Sequence, residues 1–261
     1  MNAIDVSLAE VAAALVLVAV AIAISLRERA GVEGDIGVAA VRAFVQLTAV
    51  GYVIKLIFDE DRLVFVFALI AVMVLIATFT ARRRAAKVPG AFAPLLAGIA
   101  LAAASTLAAV VALGVFDPEA RYLVPVGGMV IGNSMTAAAV ALNRLGDEVS
   151  SSGREIEATL SLGATAAQAM RPILRRSLRS GMIPLIDQTK TTGIIAFPGI
   201  MVGMLLAGAQ PVDAVRLQLI LLYTLLGAVS VSVLVSMALA YRNFFTPAHQ
   251  LHEPAAATPA S

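Results

Sequence analysis

Long apolar stretches alternate along the chain with short polar connections. One larger polar insert, Asn143 to Met182, breaks the series. A membrane-crossing helix needs about 20 mostly apolar residues. Seven stretches fit that pattern: Val6–Leu26, Ile36–Phe58, Leu63–Thr80, Ala91–Val115, Tyr122–Leu142, Gly193–Ala209 and Ala214–Tyr241. They predict an all-α polytopic protein of about seven transmembrane helices. Residues 1–246 form a single transmembrane domain in this reading. The remainder, 247–261, is rich in Pro and Ala and reads as a disordered tail. Both histidines, His249 and His252, lie in it. A solvated tail is the simpler reading of them than a metal site.

The insert has a pattern of its own. Ile156, Leu160 and Gly163 recur at helical spacing, and Met170, Ile173, Leu174, Leu178 and Met182 do the same further on. Such gaps suit helices with one apolar stripe. The opposite face is basic, with Arg171, Arg175, Arg176 and Arg179. Gly163 separates the two stretches and permits a backbone turn at low steric cost. Asp147, Ser150, Ser151 and Ser152 are N-cap candidates upstream. The expectation is two short amphipathic helices with a turn near Gly163. A basic helix lying on anionic lipid is a rival reading. Glu155 and Glu157 argue against it, because anionic lipid repels them.

Composition agrees with a lipid setting. Hydrophobic residues make up 60% of the chain, and charged residues only 14%. A soluble core cannot hide that much apolar surface. The distribution of charge adds an orientation. The connections Arg27–Asp35, Ala81–Gly90, Asn143–Met182 and the tail hold 13 of the 19 Lys and Arg residues. The N-terminus and the other connections hold two bases against eight acids. Basic loops stay cytoplasmic. This predicts an outside N-terminus, an inside C-terminus and a cytoplasmic insert. Asp5 and Glu10 flank the first stretch with no base, which is unlike a signal peptide.

Polar residues within apolar stretches are functional candidates, because hydrocarbon makes them costly. Arg42 and Lys55 lie near the ends of the second stretch and can snorkel to the interface. Gln46 sits one turn past Arg42. Asn133 lies near the middle of the fifth stretch, with Ser134 and Thr136 beside it. It reads either as a polar waist in a translocation path or as interhelical glue. Gly128 and Gly132 form a small-xxx-small pair suited to close helix contact. Asp187, Gln188, Thr189, Lys190, Thr191 and Thr192 open the sixth stretch. Asp187 and Lys190 are spaced to pair on a helix face. Pro198, Gly199 and Gly203 then supply a kink and a small stripe. The path candidates are therefore Gln46, Asn133, Ser134, Thr136, Asp187, Gln188, Lys190 and Thr191.

Metal ligands are scarce. Cysteine is absent, and the membrane part has no His and essentially one carboxylate, Asp187. Met129, Met135, Met201 and Met204 are thioethers but also ordinary gap-fillers. Residue chemistry gives no tight metal site. A chelated or non-metal substrate is compatible with it. A P-loop needs Gly before its Lys and Ser or Thr after it. The lysines are Lys55, Lys87 and Lys190, and Thr189 precedes the only one followed by Thr. ATP chemistry, if used, belongs to another chain, and no cofactor is expected in this one.

Two resemblances extend this reading. Glu157-Ala158-Thr159, then Gly163, then Ile173 resembles the cytoplasmic loop of ABC transporter permeases. It departs at Arg175 and Arg176, where Leu and Pro stand in that pattern. In those permeases the loop docks on the ATP-hydrolysing subunit. The resemblance thus implies coupling roles for Glu157, Ala158, Gly163, Arg171 and Arg175. The stretches Gly127–Leu145 and Arg179–Ala209, with YRNFFTPAHQL in the tail, resemble the FetB-type iron-export permease family. That family is related to plant aluminium-sensitivity and aluminium-tolerance membrane subunits. The similarity implies a multi-pass permease of the plasma (inner) membrane and a separate ATPase carrying ATP-Mg. Export of iron or a related metal is implied with it. A homodimer is expected, and no nucleic-acid partner. An ATP-independent carrier or channel is the rival, although inverted repeats and buried relay acids are not evident.

Overall fold

The computed structural model describes residues 7–60, 63–246, 250 and 251. The helices run in chain order as α1 (Leu8–Glu28), α2 (Glu33–Glu60), α3 (Leu63–Arg84), α4 (Phe92–Ala112) and α5 (Ala120–Ser151). Then follow α6 (Gly153–Ser161), α7 (Ala166–Thr191), α8 (Gly199–Leu206), α9 (Pro211–Ala240) and a 3₁₀ turn, Tyr241–Phe244. The protein is all-α and multi-pass. Six helices are long and apolar enough to cross a membrane: α1 to α5, and α9. The tail expectation falls outside the described residues, apart from Gln250 and Leu251.

The chain divides into two compact units, Met1–Arg62 and Leu63–Ser261. The first is a hairpin of α1 and α2. Ser7 and Glu10 form a reciprocal capping box at the start of α1, which satisfies N–H groups left free by the first turn. The chain reverses through left-handed Arg29 and Gly31. Ser25 donates to the Glu33 carboxylate across the turn at 2.8 Å.

In the second unit α5 is central and touches α3, α4, α7 and α9. Small residues set the closest approaches. A Cβ on Gly98 of α4 would stand 2.1 Å from the Ser236 hydroxyl and 2.6 Å from the Ser232 carbonyl of α9. A Cβ on Gly181 of α7 would stand 2.7 Å from the Ala137 carbonyl of α5. These helices meet nearly backbone to backbone, which is how helices gain contact in lipid.

The polar insert differs in part from expectation. The turn is where the spacing put it, with Gly163 at φ +88°. Ile156, Met170 and Ile173 are buried, as the apolar stripe requires. However, α5 continues through Ser151, so Asp147, Ser150 and Ser151 lie inside it rather than capping α6. Ser152 holds the cap position but its side chain makes no cap bond. The second helix is not short. It starts at a capping box of Thr165 and Gln168 and runs unbroken for 26 residues, about 39 Å. Pro172 and Pro184 sit on its exposed face.

The stretch Gly193–Ala209, expected as one span, is a turn followed by the eight-residue α8. Gly193 takes φ +86°, and Pro198 begins the new helix. The Thr191 carbonyl accepts from the N–H groups of Ile194, Ile195 and Ala196, while Gly193 donates to Ala196. The break therefore satisfies four of its own N–H groups. Broken helices of this kind are tolerated where they border a cavity or protein.

Gly98→Val should overpack the α4–α9 contact and cost about 1–3 kcal/mol. Thermal unfolding of the detergent-solubilised protein reads this as a lowered midpoint.

Candidate functional site

The break between α7 and α8 opens a cavity of about 370 Å³. Asn133 of α5, Gln188 of α7 and Gln218 of α9 line it, together with Pro198, Gly199 and Ile200 at the start of α8. Its remaining walls are apolar: Met129, Leu221, Leu222 and Leu225. Asn133 lies thirteen residues past Ala120, about 20 Å along α5, which is deep within a 30 Å hydrocarbon layer.

Asn133 donates to the Met129 carbonyl of its own helix at 2.8 Å. The donated bond is therefore intrahelical, and the side chain borders the cavity. Gln218 is 7% exposed, and its side-chain oxygen has no partner among the described residues. Burying an amide oxygen without a partner costs about 1–3 kcal/mol, and the buried hydroxyls of Ser134, Ser177, Ser232 and Ser236 are unpartnered in the same way among the described residues. Gln218 was not among the sequence candidates. It follows Arg216 by two residues at the start of a long apolar run, a strongly polar side chain of the kind that singled out Asn133.

The other candidates are placed as follows. Ser134 is fully buried and its hydroxyl has no partner among the described residues. Thr136 is exposed and donates to the Gly132 carbonyl. Asp187 and Lys190 are exposed on α7, and no ion pair joins them among the described residues. Thr191 donates to the Asp187 carbonyl at 3.0 Å. Gln46 lies in the first unit, exposed on α2. A Cβ on Gly128 would reach only the Met73 tip, at 3.0 Å, and Gly132, Gly199 and Gly203 face open space. Pro198 caps α8. No cluster of three or more His, Cys, Asp or Glu exists among the described residues.

The insert residues gather at the far end of the same unit. Glu157 and Ala158 are exposed on α6, Gly163 makes the turn, and Arg171 and Arg175 are exposed one turn apart on α7. Behind them lies a polar cluster that the sequence did not reveal. The Glu148 carboxylate, on an 8% exposed residue, accepts from Arg176 at 2.7 and 3.0 Å and pairs with Arg144 at 2.6 Å. Lys87 bonds Asp147 at 2.5 Å. Asn243 bonds the Pro89 carbonyl at 2.9 Å. Glu148 lies six residues beyond the apolar stretch that ends at Leu142, about 9 Å further along α5 and outside the membrane-spanning part. The Arg176 hydrogen bond, with the charges of Arg176 and Arg144, holds its carboxyl below the ordinary range.

A helical, multi-pass membrane protein with a polar cavity at a broken helix is what the fold and this site define. The chain belongs to the uncharacterised protein family UPF0014, whose model matches residues 8–245. It is 36% identical over 96% of its length to the probable iron export permease protein FetB of Escherichia coli, covering 97% of that protein. It is 39% identical over 88% of its length to the membrane protein STAR2 of rice, covering 80% of that chain. Protein ALUMINUM SENSITIVE 3 of Arabidopsis is 35% identical over 94% of this chain, with 89% of its own length covered. No solved structure matches.

The Glu148 pairing makes a signed prediction. A depressed carboxyl pKa contributes stability above the unfolded glutamate value, lost as pH falls through the folded value. Glu148→Gln should cost on the order of 1 kcal/mol at neutral pH, between exposed and buried pairs. It should also flatten the acid limb of a melting-temperature profile.

Proposed function

We propose that this chain is the membrane subunit of an ATP-driven exporter of iron or a related metal, working with a separate cytoplasmic ATPase that carries ATP-Mg. One observation carries the reading. The α7 helix runs without a break from the exposed basic hairpin to Gln188 at the cavity wall. A force applied near Glu157–Gly163 therefore has a continuous helical route to the site. The name of the Escherichia coli relative supplies export and iron.

In this reading the basic connections are cytoplasmic and the N-terminus is outside. The second half of α7 and the short α8 together make one crossing, which keeps the count of crossings odd. Closure of the ATPase pushes the hairpin and tilts α5 and α7 together, and access to the cavity alternates. The chain works as a homodimer. Ile194 and Ile195, 85% and 77% exposed at the helix break, suit a second protein surface better than lipid, because irregular backbone avoids hydrocarbon.

The ATPase activity of the assembled pair should fall several-fold in Glu157→Lys, and an unchanged rate would count against coupling. Asn133→Asp should stop transport while leaving assembly intact. Cells lacking the chain should accumulate iron; equal iron content would sink the export reading. Transport that persists with no ATPase present would establish an ATP-independent carrier instead.

A further inference from the structure

We infer that a pocket at the end of α3 holds the phosphate headgroup of an anionic phospholipid. The leaflet is the one on the side of the α6–α7 turn, because the Lys87–Asp147 bond ties the α3–α4 connection to the end of α5 that leads into α6.

The pocket has a volume of about 610 Å³, within the range of ligand sites. Arg82 and Arg83 line it, with Phe79 one turn before them and Pro89, Gly90 and Ala91 from the α3–α4 connection. Its depth suits a headgroup. Arg82 lies nineteen residues past Leu63, where α3 begins. That is about 28 Å of helix, against about 30 Å for the hydrocarbon layer. Phe79 is exposed, and its ring centre lies 4.9 Å from that of Phe92 at the start of α4. Aromatic rings favour the boundary of the layer.

Charge selects the ligand. The lining holds two guanidinium groups and no acid. No carboxylate pairs with Arg82 or Arg83 among the described residues. Asp147, the acid that reaches this connection, is bonded to Lys87 instead. A guanidinium presents a planar fork to phosphate oxygens. Two of them favour a headgroup of net negative charge over a zwitterionic one, whose ammonium they repel. Phe79 carries the lining into the apolar stretch that ends at Thr80, which suits a lipid better than free phosphate.

The walls are held in place. Ala85, Val88 and Ala91 are buried. Asn243 donates to the Pro89 carbonyl at 2.9 Å, and Gly90 turns the chain at φ +58°. Arg84 provides the contrast. It is exposed on the same helix end but does not line the pocket. A diffuse basic collar would use all three arginines alike.

The test is native mass spectrometry of the full chain in detergent, titrated with phosphatidylglycerol or phosphatidylcholine. Phosphatidylglycerol should bind several-fold more tightly. Arg82→Gln and Arg83→Gln should each weaken it about fivefold, and Arg84→Gln should leave it unchanged. If a glutamine variant does not fold, Arg82→Lys and Arg83→Lys keep the charge, lose the fork and should still weaken binding. Equal losses in the variants of all three positions overturn the proposal. So does equal binding of the two lipids. Displacement of phosphatidylglycerol by millimolar inorganic phosphate would assign the pocket to the free ion and overturn the lipid reading.

Discussion

Main-chain amides inside hydrocarbon have no water to turn to, and the second unit is organised by that constraint. Most of its membrane part meets it with unbroken helices. The exception is the segment after Thr191. There the Thr191 carbonyl accepts three N–H groups, and Gly193 adopts a conformation that bulkier residues resist. The turn closes on itself, so the chain can start a fresh helix in mid-course. That new start is what leaves free N–H groups at Gly199 and Ile200. The cavity and its polarity follow from the break, and the break is eased because four of its own N–H groups are met.

The hairpin end uses a different bond type. Outside the apolar layer, charges are cheap to keep and strong when half-buried. Glu148 joins α5 to α7 through Arg176, with Arg144 of its own helix beside it, Lys87 ties the α3–α4 connection to α5, and Asn243 ties that connection to the 3₁₀ turn after α9. Gly181 against Ala137 then continues the α5–α7 contact inward without a side chain between them. Contact between α5 and α7 thus runs from the charged end to Asn133 and Gln188. Two helices joined in this way move together more readily than they slide.

The amino-acid sequence revealed the spans because length and apolarity are local properties. It revealed the Gly163 turn because two helical phases break there. It hid the length of α7, because a polar composition resembles a loop even when the helical spacing continues through Ile173, Ser177 and Leu185. The gap in the sixth stretch was hidden by its apolar character: Ile194, Ile195 and Phe197 look like span residues. Glu148 was invisible because Arg176 is 28 residues away, and pairing at that range is a tertiary fact. Gln218 was legible in principle, as a single amide in an apolar run. Small residues misled in detail: Gly128 and Gly132 have the expected spacing, yet the tight contacts fall at Gly98, Gly146 and Gly181.

None of the side chains lining the cavity gains or loses a proton anywhere near neutral pH. A passenger held there exchanges no hydrogen ion with the walls. The walls of this compartment therefore offer a gradient of acidity across the bilayer no handle.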